Sequence, residues 1–83
     1  MQTSKWVSVT TRAHERDIVP STQWRHITAG LEPPAVKLSP GMSRLVRSEL
    51  DAVDAARIAG ANDEVIRALV RQLVADRKQQ VAA

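Results

Sequence analysis

Residues 21–46 read STQWRHITAGLEPPAVKLSPGMSRLV, and the breaks within that run decide the fold. Ser21 has the side chain of a helix N-cap, able to accept from the free N–H groups of a first turn. Thr22 to Ala29 then follow without a breaker, and Gly30 stands where helices commonly end in a left-handed residue. Glu32-Pro33-Pro34 cannot continue the helix. Ala35 to Leu38 alternates in side-chain character, and Ser39-Pro40-Gly41-Met42 places proline and glycine at the centre of a type II turn. Ser43 to Val46 returns as a second strand. The run therefore reads as a helix followed by a β-hairpin spanning roughly Ala35 to Val46.

Working outward, Thr10 to Ile18 allows a polar helix capped by Thr10 or Thr11, and Val19-Pro20 interrupts it. Helix, break and helix together have about the length of a helix-turn-helix unit. Residues 1–9 carry strand-like side chains and are expected to form a short strand or an arm. On the other side, Ser48-Glu49-Leu50-Asp51 resembles a capping box opening a helix that runs to about Ile58 and stops at Gly60. Asn62 or Asp63 caps a last helix, in which Val65, Ile66, Leu69, Val70, Leu73 and Val74 recur at helical spacing. The tail from Gln79 is expected to fray. No repeat is present.

The expected fold is mainly α with a small β-hairpin: a winged helix-turn-helix followed by two C-terminal helices. It forms one domain over residues 1–83, with the motif and wing at about 10–47 and a C-terminal helical hairpin at about 48–80.

Eighty-three residues leave little room for an enzyme cleft and its supporting shell. Apart from Trp6 and Trp24 the apolar side chains are aliphatic, which suits helices. With no cysteine there is no disulfide, thiolate nucleophile or zinc finger. No apolar run reaches the length of a membrane span or signal peptide, so a soluble protein is expected. The net charge of +3 is unevenly spread: residues 1–47 hold seven Lys/Arg against three acids, residues 48–83 five against six. A basic front half points to a polyanionic partner.

The combination Ser21-Thr22-Gln23-Trp24-Arg25, Gly30 and Pro33-Pro34-Ala35-Val36-Lys37-Leu38, with Ser48 to Val53 behind it, resembles the AlpA-type phage and prophage regulators. These are relatives of the excisionases. The resemblance covers residues 20–53 and implies a winged helix-turn-helix that binds double-stranded DNA. It also implies a transcriptional regulator or excision factor in a bacterial cytoplasm, phage-encoded or nucleoid-associated. Trp24 takes the family's aromatic position and Arg25 its basic one. Gln23 and His26 stand where the family commonly has apolar residues.

In such a unit the second helix enters the major groove with its N-terminal residues on the base edges. Ser21, Thr22, Gln23, Arg25 and His26 are the candidates. Arg can pair with guanine and Gln with adenine through two hydrogen bonds. Gln23 draws attention as a polar residue in place of an apolar one. Ser21 serves both as cap and as a phosphate ligand. Trp24 is expected to pack into the core, its indole N–H reaching toward a phosphate.

In the hairpin, Lys37, Ser39 and Arg44 face the DNA backbone or minor groove. Arg47 follows just behind. Lys37 opposite Arg44 would be a like-charge pair needing a reason. His14 and His26 lack a third ligand at supporting spacing, so no metal and no cofactor is expected.

The apolar face Ile66/Leu69/Val70/Leu73 has two uses: folding back on the core, or pairing two copies into a homodimer. Two function classes follow. One is a sequence-specific DNA-binding regulator. The other is a small protein-interaction module that engages a partner through that last helix and does not bind DNA specifically. An enzyme is set aside, because no nucleophile–base or carboxylate pair has a supporting spacing, and no small-molecule substrate is implied.

Overall fold

The computed structural model describes residues 4–82. In chain order the elements are β1 (Trp6–Val7), α1 (Val9–Glu15), α2 (Pro20–Thr28), β2 (Val36–Ser39), β3 (Met42–Val46), α3 (Arg47–Ile58) and α4 (Asp63–Ala82). The chain is mainly helical, with the three strands in one antiparallel sheet ordered β1-β3-β2. Within the segment expected to be a strand or an arm, a short strand forms: Trp6 pairs with Val46 and Val7 with Leu45. The first three residues lie outside the described ones.

The helix starts differ from expectation for local reasons. Ser8, not Thr10 or Thr11, caps α1, its hydroxyl accepting from the Thr11 N–H at 3.0 Å. Ser21 is not a cap. Proline forces Val19 into an extended conformation (φ −81°, ψ 153°) and itself takes the first helical position, so α2 begins at Pro20. Ser48 is not a cap either. β3 passes straight into α3 at Arg47, whose N–H donates to the Lys5 carbonyl at 2.9 Å, and Ser48 lies inside the helix. Asn62 caps α4 as expected, accepting from Val65 N–H at 3.0 Å. That helix continues past Gln79 to Ala82.

The helix ends share one device. After α1, the Asp17 and Ile18 N–H groups donate to the carbonyls of His14 and Ala13. After α2, those of Gly30 and Leu31 donate to Ile27 and His26. After α3, those of Gly60 and Ala61 donate to Arg57 and Ala56. Each is a Schellman ending, which needs one left-handed residue. Gly30 was expected to supply it. At Asp17 (φ 58°) an aspartate does so, one of the few side chains that tolerate that region. This turn sets α2 across α1 within four residues, Arg16 to Val19.

Two apolar clusters hold the chain. Val7, Val9, Leu45 and Leu50 join the sheet to α1 and α3, with Ile27 of α2 and Ala35 packed against them. Val53, Ile66 and Val70 join α3 to α4, with Leu31, Leu69 and Leu73 alongside. Ile66 and Val70 are buried within the chain. Leu69 and Leu73 of the same face are half-buried beside them.

Candidate nucleic-acid interface

The nine residues of α2 divide cleanly around its axis. Ser21, Trp24, Arg25 and Thr28 are exposed, at the i, i+3, i+4, i+7 spacing of one helix face. Thr22 and His26 are half-buried at its borders, and Gln23 is fully buried. Trp24 is 49% exposed, which corrects the expectation that it packs in the core. The Arg25 guanidinium is steadied only by Thr22, whose hydroxyl accepts from Nη2 at 3.0 Å.

Gln23 cannot touch a base. Its carboxamide Nε2 donates to Glu32 at 2.9 Å, and its Oε1 accepts from Arg16 at 2.6 Å. The polar residue at an apolar position therefore signals a buried polar network. At its centre Arg12, 2% exposed, makes paired hydrogen bonds to two carboxylates. Glu32 receives Nε and Nη2 at 2.9 and 3.1 Å, and Asp54 receives Nη1 and Nη2 at 2.9 and 2.8 Å. Four of the five guanidinium donors act in these bonds, and a buried charge is tolerable only when so satisfied. The network ties α1, α2, the α2–β2 connection and α3 together, and so fixes how far α2 stands out from the body.

His26 belongs to the edge of this network. Its Nδ1 accepts from Arg16 at 2.9 Å, and because an arginine can only donate, the ring is neutral with its proton on Nε2. Burial, then the nearby Arg16, lowers its pKa below the ordinary value of 6.5. The hydrogen bonds from Arg12 and Arg47 likewise hold the carboxyls of Asp54 and Glu15 below their ordinary 3.8 and 4.5.

All three shifts act in one direction on stability. A lowered histidine pKa means that the unfolded chain takes up a proton first, so stability begins to fall as pH drops through about 6.5. The carboxylate contribution is present above about pH 4.5 and is lost as pH falls through the depressed values. Far-UV circular dichroism in fixed urea, followed from pH 7 to 2, is expected to show a shallow decline and then a steep one. A helical signal independent of pH would contradict this arrangement.

The hairpin is shaped by its proline. Pro40 fixes φ near about −65°, and Gly41 has φ 79°, together the type II combination that was expected. Such a turn opposes the natural strand twist. The register shifts between Lys37 and Ser39, leaving Leu38 as an extra residue, and the bulge takes up the mismatch. Lys37 lies opposite Ser43, and Arg44 opposite Val36, so the two cations are not a cross-strand pair. They sit on opposite faces of the sheet instead. Lys37 and Ser39 are exposed and Arg44 is half-buried.

Arg47 does not belong to the exposed set. Its guanidinium makes two hydrogen bonds to Glu15, at 2.9 and 2.8 Å, locking α3 to α1. The remaining cations divide the same way. Arg57 pairs with Asp63, Arg67 with Glu64, and Arg77 with Glu49. Arg67 also donates to the Ala29 carbonyl at the end of α2.

In the front half, among the described residues, the cations outside any ion pair are Lys5, Arg25, Lys37 and Arg44. Lys5 was missed by the sequence reading; its ammonium lies 5.6 Å from the centre of the Trp6 ring. Only the adjacency of a cation and an aromatic hinted at it. On α4, Arg71 and Lys78 are also outside ion pairs. Among the described residues no pocket opens and no cluster of three His, Asp or Glu could hold a metal ion. No helix there is long and apolar enough to cross a membrane.

No protein family, curated protein or solved structure matches this chain.

Proposed function

We propose that this protein binds duplex DNA sequence-specifically as a winged helix-turn-helix, in the manner of the AlpA-type regulators and excisionase-like factors that it resembles. One observation carries the reading. The front-half cations left without acids lie on α2, on the hairpin and beside β1, while those facing the interior are held by Glu15, Glu32 and Asp54. Exposed or half-buried and without an acid partner, these four front-half cations are free to meet phosphates.

The outer face of α2 enters the major groove. Arg25 is the base-reading residue, with Ser21, Thr22 and Thr28 beside it and Trp24 against the sugar–phosphate wall. Lys37, Ser39, Arg44 and Lys5 meet phosphates. Gln23 and His26 act from behind, as supports of the helix. The competing reading, a protein-interaction module acting through α4, has less apolar surface to draw on, since Ile66 and Val70 pack against α3 and Leu69 and Leu73 are half-buried.

The test is a mobility-shift titration on duplexes selected by the protein from a random-sequence pool. The three cationic phosphate contacts, Lys5, Lys37 and Arg44, give a salt slope of about −2.7, so affinity is expected to drop roughly 40-fold between 50 and 200 mM salt. Arg25→Ala is expected to weaken the selected site by about 1–3 kcal/mol and to spare non-specific duplex. A protein that ignores duplex DNA at low salt, or an Arg25→Ala variant that binds the selected site as well as wild type, would overturn the proposal.

A further inference from the structure

The end of the hairpin combines two properties that folding alone does not call for. Leu38 and Met42, large apolar side chains 39% and 42% exposed, flank the exposed Pro40-Gly41 turn. Neither belongs to an apolar cluster of the fold. A side chain built on Gly41 would meet nothing within 4 Å, so the tip projects into open space. Behind it stand Lys37 and Arg44, one on each strand, and residues 33–48 contain no acid. The two-residue turn and the bulge at Leu38 give the tip a defined shape.

We infer that this tip is a wedge for duplex DNA: Leu38 and Met42 enter the minor groove and unstack a single base step while Lys37 and Arg44 hold the flanking phosphates. The inference rests on the DNA-binding reading and adds to it a deformation of the DNA. An apolar tip between cations fits a partner that is anionic outside and apolar within, and a base stack is both. Proteins that kink DNA from the minor groove use one or two such side chains, leucine and methionine among them. An anionic lipid surface offers the same two properties. It needs a broader apolar area or a second anchor to hold a protein, and only two large apolar side chains flank this turn. Duplex DNA is the better match. Flexible pyrimidine–purine steps are the expected point of entry, since they unstack most readily.

The experiment uses the full chain and a duplex that it selects from a random-sequence pool, with fluorophores at the two ends and 2-aminopurine at the central pyrimidine–purine step. Readings are taken at saturating protein, so that bending is measured on bound complexes. Wild type is expected to shorten the end-to-end distance, corresponding to a bend of roughly 20–90°, and to raise 2-aminopurine fluorescence several-fold. The Leu38→Ser/Met42→Ser variant changes only exposed positions. It should still bind and should lose both signals, whereas Lys37→Ala should weaken binding and keep them.

Selected duplex that is bound but stays straight and stacked, or signals that survive in the double variant, would overturn the wedge and leave the DNA-binding reading standing. Failure to select any duplex would overturn both. Association with phosphatidylglycerol vesicles that disappears in the double variant, alongside an unbent duplex, would reassign the tip to a lipid surface.

Discussion

Arg12→Met is expected to remove about 3–5 kcal/mol of stability, a large share of the roughly 5–15 kcal/mol that holds a domain of this kind together. Methionine fills much of the same volume, so the loss is electrostatic. Glu32, 1% exposed, would be left beside Arg16 at 3.9 Å as its nearest cation, and Asp54 would lose both of its hydrogen bonds. Urea unfolding measures the effect as a fall in midpoint at constant slope. Adding Glu32→Gln is expected to recover some of the loss, because neutralising a buried pair together is far less damaging than orphaning one member. A single variant costing under about 1 kcal/mol would show that water, not the network, solvates these groups.

Ile66→Ala is expected to cost about 2–5 kcal/mol, the usual range for opening a cavity in a packed core. Ile66 is fully buried between α3 and α4, against Val53 and Val70. Because Ile66 and Val70 are buried within one chain, the unfolding midpoint of both wild type and variant is expected to be independent of protein concentration. A midpoint that rises with concentration would return Ile66, Leu69, Val70 and Leu73 to an interface between two copies.

How much could be read from the sequence depended on whether a signal was local. The helix expected from Ser21, the stop at Gly30, the Pro40-Gly41 turn and the last helix were legible because proline, glycine and a repeating apolar stripe act on their own neighbourhood. The caps were misplaced where a competing local rule won: Pro20 displaced Ser21, and continuity of β3 with α3 displaced Ser48. β1 could not be assigned, since its partner Val46 lies 40 positions away.

The candidate site divided in the same way. Ser21, Arg25, Lys37 and Ser39 remain in an exposed set that also gains Lys5, Trp24 and Thr28, while Thr22 and Arg44 are half-buried. Gln23 moved into the interior, and Arg47 and His26 partway, because their partners Glu32, Glu15 and Arg16 come from other elements. A polar side chain in an apolar register has two explanations, contact with a ligand or a buried partner. Only the third dimension separates them.

The junction at Val46 and Arg47 has a mechanical consequence. A strand that becomes a helix with no residue between them has nothing to act as a hinge, so hairpin and α3 form a bent lever with one stiff corner. Its short arm ends at the Pro40-Gly41 tip. Its long arm is fastened to α1 at both ends of the next two turns, through Arg47–Glu15 and Asp54–Arg12. A push on the tip is therefore not absorbed at the corner. It passes along α3 into α1, and from there through Glu32 and Gln23 to α2, so that strand tip and α2 yield together or hold together.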